Sequence, residues 1–464
     1  MKNKIFEKVL IETVAAEGKC IARIDGQAVF VGGVAPKDVV DLQIVRKKKS
    51  YLEGKAIKIH EFSKQRVDPF CTHFGLCGGC KWQHLGYEHQ TAAKRQQVID
   101  NFERIGKFDF LEVNPIIPSK NTTHYRNKLE FTFSSKRWLS FEEIKSGAEI
   151  DRNGVGFHIP RQFDKIVDIQ ECFLQKEPSN EIRNALRKFA NDNRLSFYSI
   201  RENHGLLRNL VIRTSSTGQL MVIVQFGEKN ADGVQSVMDF LSNSFPQIDS
   251  LYYVVNLKLN ETFLDQELVL HAGNAFIEEQ MEDLKFKIGP KSFFQTNTEQ
   301  ALALYTKARE MAKLQGNETV YDLYTGTGTI ANFIAKKAKK VIGIETVKEA
   351  IEDAQENSRY NNIENCHFFV GDIKDTLNHD FFAQHGAADV IITDPPRAGM
   401  HADVVETILQ AAPKKIVYIS CNPATQARDL ARITDEYIVE EVQPFDMFPH
   451  THHLENIVSL RRKK

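Results

Sequence analysis

Cys421 follows a short apolar run, Ile416-Val417-Tyr418-Ile419, with Ser420 between, and Asn422-Pro423 breaks the pattern directly after it. Four apolar or aromatic residues in a row read as a short buried strand. A cysteine at the carboxyl end of a parallel strand stands where open α/β sheets gather ligands and reacting groups. As a thiolate it is a nucleophile that can add to an electron-poor carbon and later leave. Free cysteine is also among the most buried residue types, so position alone leaves a core role open.

A second constellation is Cys71-Thr72-His73-Phe74-Gly75-Leu76-Cys77-Gly78-Gly79-Cys80. Gly78-Gly79 lets the backbone turn tightly around an ion. Three thiolates so close call for a fourth ligand, and Cys172 is a better candidate than the crowded His73. Four cysteines suit tetrahedral zinc or an iron–sulfur cluster, and the spacing alone does not choose between them. Cys20 and Cys366 fall inside strand patterns and read as core.

The elements that position Cys421 begin near residue 290, where strand and helix patterns alternate as in a doubly wound α/β sheet. Thr319 to Tyr324 reads as a strand that runs into Thr325-Gly326-Thr327-Gly328-Thr329. Glycines there allow a ligand to approach the backbone at the next helix's amino end. The third glycine of a dinucleotide fingerprint is missing, which disfavours a pyrophosphate site. Val341-Ile342-Gly343-Ile344 ends in Glu345, an acid placed to accept from ribose hydroxyls. His367 to Val370 ends at Gly371-Asp372, where an adenine would lie, and Ala388 to Thr393 ends at Asp394-Pro395-Pro396-Arg397.

Before this half, residues 8–60 show short alternating runs split by glycines, with Asp25-Gly26 as a hairpin turn, the pattern of a small Greek-key barrel. Residues 1–60 carry twelve Lys/Arg against seven Asp/Glu, including Arg46-Lys47-Lys48-Lys49, although the whole chain of 464 residues has a net charge of −1. Such a local excess suits phosphate contacts. The middle mixes helical patterns (91–104, 181–191) with strand patterns (129–133, 219–225, 250–255). In it, Tyr125-Arg126-Asn127-Lys128 pairs an aromatic with two cations, chemistry that can stack on bases and touch phosphates. The expected division is a barrel at 1–62, a central α+β domain at 63–290 and an α/β domain at 291–464. No eighteen-residue apolar run and no secretory leader pattern is present, so no membrane span is expected and the cytoplasm is the expected location. One chain carries all the parts, and a monomer is the default.

Several motifs carry a resemblance. Gly18-Lys19-Cys20-Ile21-Ala22-Arg23-Ile24-Asp25-Gly26 with Val29-Phe30-Val31 resembles the TRAM domain of RNA-modifying enzymes. The four strand ends together look like a class I S-adenosylmethionine methyltransferase, a Rossmann-like fold. Cys77-Gly78-Gly79-Cys80-Lys81-Trp82-Gln83-His84 resembles the iron–sulfur segment of RNA uridine-5-methyltransferases. With Ser420-Cys421-Asn422-Pro423 and Phe448-Pro449-His450-Thr451-His452-His453-Leu454-Glu455, the chain resembles the 23S rRNA uracil-C5-methyltransferases of that family.

The resemblance implies an rRNA substrate in preference to tRNA, S-adenosylmethionine as cofactor, and a [4Fe–4S] cluster on Cys71, Cys77, Cys80 and Cys172. It maps cofactor contacts to Gln295, Tyr324, Glu345 and Asp394, beside Asp372 from the strand pattern. Thr329 departs from the usual asparagine. It also assigns two roles in the reaction. Cys421 adds to C6 of uracil, which makes C5 nucleophilic, and Glu455 then removes the C5 proton so that the thiol can leave. The three histidines beside Glu455 could alternatively ligate a metal. A tRNA enzyme of the same chemistry and a non-catalytic RNA-binding protein remain the alternatives; a binding module would need none of Cys421, Glu455 and Asp394.

Overall fold

Val40, Leu42 and Ile44 alternate with outward-facing Asp41 and Gln43, and this period of two builds the amino-terminal sheet. The computed structural model describes residues 3–464. In spatial order the sheet runs Ile5–Leu10, Val39–Lys47, Leu52–Glu61, Gln27–Val31, Cys20–Ile24 and Thr13–Val14. Its inward residues close on one core that includes Cys20, whose thiol donates to the Val34 carbonyl at 3.2 Å. Asp25 and Gly26 both take positive φ, 50° and 77°, as a tight two-residue hairpin demands.

A second, seven-stranded sheet runs Val269–Gly273, Ser250–Val255, Leu220–Phe226, Leu207–Thr214, Lys128–Ser134, Gly154–Ile159 and Gln162–Asp168. Helices Ser179–Asp192 and Ala231–Ser244 pack on one face of it. From its other face, Val211, Met221, Ile223 and Tyr252 join a core shared with the hairpin Ile277–Met281/Leu284–Ile288 and the carboxy-terminal unit.

That third unit is a sheet of β1 (Thr319–Leu323), β2 (Lys340–Glu345), β3 (Cys366–Val370), β4 (Val390–Thr393), β5 (Lys415–Ser420), β6 (Tyr437–Phe445) and β7 (Glu455–Arg462). Its order is 3-2-1-4-5-7-6, parallel from β3 to β5, with β7 antiparallel between β5 and β6. The central strands are buried on both faces, which explains their unbroken apolar runs. Cys366 packs at the edge of this core, with its thiol toward the Ala331 carbonyl.

Two segments from earlier in the chain complete the third unit. The helix Tyr87–Asn101 and the turn after it bring Val98 and Phe102 into this unit's core against the helix Pro423–Ile433 and β6, and Val113 and Ile117 bridge to Val442 and Phe445 of β6. Among the described residues, no helix is long and apolar enough to cross a membrane.

Candidate active site

The β5–β7 ladder pairs Ser420 with Asn456, so one further step along it sets Cys421 across from Glu455. Past Cys421, Asn422 caps the helix Pro423–Ile433 by accepting from the Ala424 N–H at 3.1 Å. Its amide nitrogen donates to the Arg397 carbonyl at 3.0 Å, tying the Asp394–Arg397 loop to the Cys421 turn. Asp394, Cys421 and Glu455, far apart in the chain, thus meet at one sheet edge.

Electrostatically this edge is an acid row. Burial, then Asp394, holds the Glu455 carboxyl well above the usual carboxylate range, with Arg397 opposing. Glu455 is 3% exposed and its Oε2 has no partner. Half-buried Asp394 is pushed up to about 7 by burial and by Asp322. Burial likewise pushes Asp322 up to about 7, although its Oδ2 accepts from the Thr325 hydroxyl at 2.5 Å and the Ala331 N–H at 3.1 Å. Cys421 is pushed up to about 11, first by burial and then by Glu455 and Asp394. Burial, more than the neighbouring acids, thus raises the thiol at rest. A cation entering the row would lower all four groups together.

The cofactor-side residues continue the same edge. Tyr324 takes φ 62°, followed by Gly326 at 54° and Gly328 at 74°, so β1 leaves the sheet through a left-handed turn. Such non-glycine strain is concentrated at functional sites. Glu345, at the end of β2, accepts from the Gly326 N–H at 3.3 Å with one oxygen. Its other oxygen takes the Thr346 and Val347 N–H groups at 2.7 and 3.1 Å. Asp372 caps the short helix Ile373–Thr376. The Tyr324 hydroxyl is pushed up to about 12 by burial, then by Asp372, Asp429 and Glu345, which places it among those acids.

Gln295 is 8% exposed; its main-chain carbonyl accepts from Asn127 Nδ2 at 2.9 Å and its side chain meets the Tyr305 hydroxyl. Tyr305 in turn feels Asp394 and Glu455. Gln295, Asp394, Cys421 and Glu455 therefore form one group at the carboxyl ends of the strands, and Tyr324, Glu345 and Asp372 another. Asp322, Tyr305 and Arg397 were not singled out from sequence. Tyr305 has the spacing of an ordinary core residue in the helix Thr298–Ala312, and nothing local marks it.

The base-stacking expectation for Tyr125 does not hold. It is buried, and its hydroxyl donates to the Pro449 carbonyl at 3.1 Å. Nor do the histidines gather as ligands: among the described residues no three His, Cys, Asp or Glu side chains are placed to hold an ion.

Cys71, Cys77, Cys80 and Cys172 are free, half-buried thiols. Cys77 is pushed up to about 11 and Cys80 to about 12, mainly by burial, with the other cysteines of the group adding to the rise. The four thiols are thus neighbours. Among the described residues, however, no three His, Cys, Asp or Glu side chains stand at ion-holding spacing. His73 is engaged elsewhere, accepting from the Gln170 N–H at 3.2 Å.

A sheet in this order, with a glycine turn after β1 and an acid at the end of β2, defines an S-adenosylmethionine-dependent methyltransferase. Residues 254–463 match the tRNA (uracil-5-)-methyltransferase family and residues 7–57 the TRAM domain. An uncharacterized RNA methyltransferase of Bacteroides thetaiotaomicron is 55% identical over 96% of this chain and 99% of its own length. One from Porphyromonas gingivalis is 53% identical over 97% and 99%. Among solved structures, the Pyrococcus abyssi tRNA (uracil-54, C5)-methyltransferase in complex with S-adenosyl-L-homocysteine superposes with a TM-score of 0.74. It is 29% identical, over 98% of this chain and 100% of that one. The chain belongs to the RNA uracil-5-methyltransferase family.

Proposed function

We propose that the protein, acting as a monomer, forms 5-methyluridine in 23S rRNA, with Cys421 as nucleophile and Glu455 as base. The observation that carries this reading is the β5–β7 register, which sets the thiol and the carboxyl group opposite each other beside Asp394. S-adenosylmethionine supplies an electrophilic methyl group and a positive sulfonium. Gln295, Tyr324, Glu345, Asp372 and Asp394 bind and orient it, and the acid row favours its charge.

Cys421 gives up its proton to water and its sulfur adds to C6 of an unstacked uridine, the C5–C6 electron pair shifting to leave C5 as an enolate carbon. C5 then takes the methyl group as the methyl–sulfur bond breaks, its electron pair staying on sulfur, which leaves as a neutral thioether. Glu455 accepts the remaining C5 proton, the C–H electron pair restores the C5–C6 double bond, and the C6–S bond breaks to release the thiol.

Cys71, Cys77, Cys80 and Cys172 would hold a [4Fe–4S] cluster, with zinc as the alternative occupant. The four thiols lie near one another and are of the donor type such a group takes, and the group would cross-link residues 71–80 to the loop after the strand Gln162–Asp168. A tRNA substrate is the second reading, favoured by the likeness to the Pyrococcus tRNA enzyme.

Replacing the two residues tests the roles. Cys421→Ala is expected to abolish methylation, and Glu455→Gln to accumulate a covalent RNA–protein adduct on denaturing gels. Equal adduct in wild type and Glu455→Gln would remove Glu455 from the base role.

A further inference from the structure

Among the described residues no donor bonds the Glu455 carboxyl group, so its aim depends on the main chain that delivers it. That chain is the loop 446–454, which joins β6 to β7. Four consecutive carbonyls of the loop are each taken by a donor from outside the carboxy-terminal sheet. Asn297 Nδ2 donates to Met447 at 3.0 Å and Lys94 Nζ to Phe448 at 3.0 Å. The Tyr125 hydroxyl donates to Pro449 at 3.1 Å, and the N–H groups of Lys81 and Trp82 donate to His450 at 2.7 and 3.0 Å.

Two side chains bind this arrangement together. Lys94 is fully buried and pairs with the equally buried Asp446 at 2.5 Å. Gln90 accepts from the His450 N–H at 2.9 Å while its amide donates to the Trp82 and Leu85 carbonyls at 3.0 and 2.8 Å. It thereby clamps the loop to the segment that starts one residue after Cys80. His450 itself sits at φ 64°, in the left-handed region that few residues other than glycine adopt.

A loop needing only to connect two adjacent strands does not require a buried lysine, whose desolvation is costly. We infer that Gln90, Lys94 and Asp446 are positioning residues that act through the loop 446–454 to aim Glu455 at the C5 proton. Their effect falls on proton removal, after Cys421 has added and C5 has been methylated. The inference rests on Glu455 being the base.

The test separates the steps with two substrates, transcribed 23S rRNA and tRNA pooled, made with uridine or with 5-fluorouridine. On the fluorinated pool C5 carries fluorine in place of the departing hydrogen, so trapping reports Cys421 addition and methyl transfer alone. Gln90→Met and the double variant Lys94→Met/Asp446→Asn are compared with wild type and Glu455→Gln. The double change removes both charges and so avoids leaving one buried and unpaired.

Both variants are expected to trap fluorinated RNA within about twofold of the wild-type rate, yet lose roughly tenfold or more of their turnover on uridine RNA, a loss on the scale of general-base catalysis. Methylated adduct should accumulate on that uridine RNA. Trapping and turnover falling together would show general damage to the fold and overturn the inference, as would unchanged turnover in a folded Gln90→Met. If Glu455→Gln itself gives no adduct, the base assignment fails; if it does and the variants give none, only the positioning inference fails.

Discussion

Asp394 shows most clearly what the site costs the fold. Its carboxyl is pushed up to about 7 by burial and by Asp322. A carboxyl raised in this way favours the folded state below its ordinary value near 4 and loses that advantage as pH rises through about 7. Asparagine cannot ionise. Asp394→Asn should therefore melt a few degrees above wild type at alkaline pH, with the gap closing as pH falls toward about 4, while methylation is lost. An equal or lower melting temperature at alkaline pH would mean that the charge is already compensated. The wild-type rate should also rise with pH, because the Glu455 carboxyl and the Cys421 thiol are both raised and each must lose its proton to act. A rate that falls as pH rises through this range would contradict those roles. Cys421, Asp394 and Glu345 were legible in sequence because each ends an apolar strand run. Asp322, inside its strand, and Tyr305, on a helix, carry no such punctuation, and only the fold brings them to the acid row.

Elements were legible wherever their apolar period was clean. β5 and the Asp25-Gly26 hairpin are of this kind. The strand Leu207–Thr214 was missed because Arg208, Asn209 and Arg213 interrupt it, yet all three are buried. Their polarity is absorbed by distant backbone: Arg208 donates to the Asn256, Lys258 and Asn260 carbonyls, and Arg213 to those of Gly289 and Ser292. No local pattern announces such partners. Gly328 gives a prediction at this scale. It takes φ 74°, and a Cβ there would lie 2.8 Å from that of Ala354 and 3.0 Å from the Phe368 ring. Gly328→Ala should cost about 1–3 kcal/mol and weaken S-adenosylmethionine binding measured by calorimetry. Wild-type affinity in this variant would show that the turn adapts. Gly78 is similar, since a Cβ would meet the His158 carbonyl at 2.5 Å. Gly78→Ala is expected to displace the Cys77–Cys80 segment and lower metal content per chain, which metal analysis would detect.

Across the whole molecule, one short segment ties the amino-terminal sheet to the carboxy-terminal one. Trp82 donates to the Gly18 carbonyl of the barrel at 3.2 Å, His84 meets the Val34 carbonyl at 3.1 Å, and the same stretch holds the loop before Glu455. The barrel's own contribution is separable. Arg46 to Lys49 end one strand and begin the loop before Leu52–Glu61, with Arg46, Lys47 and Lys49 exposed. Replacing these cations by glutamine should weaken RNA binding, lowering its salt dependence by about 0.7–0.9 in slope for each phosphate that is no longer neutralised, with no change in melting temperature. An unchanged salt slope would take the run out of the RNA interface. The barrel and the α/β half were readable as units from composition and period. The helix Tyr87–Asn101 was legible as a helical pattern at 91–104, but its place was not, because it packs on a unit that lies more than two hundred residues further along the chain.

The most direct measurement is methyl transfer from labelled S-adenosylmethionine to unmodified 23S rRNA and unmodified tRNA in parallel, with the products mapped by mass spectrometry. Label at C5 of a 23S rRNA uridine, absent with Cys421→Ala, is the expected result. Label confined to tRNA would contradict the substrate, and no label in either RNA would contradict the function.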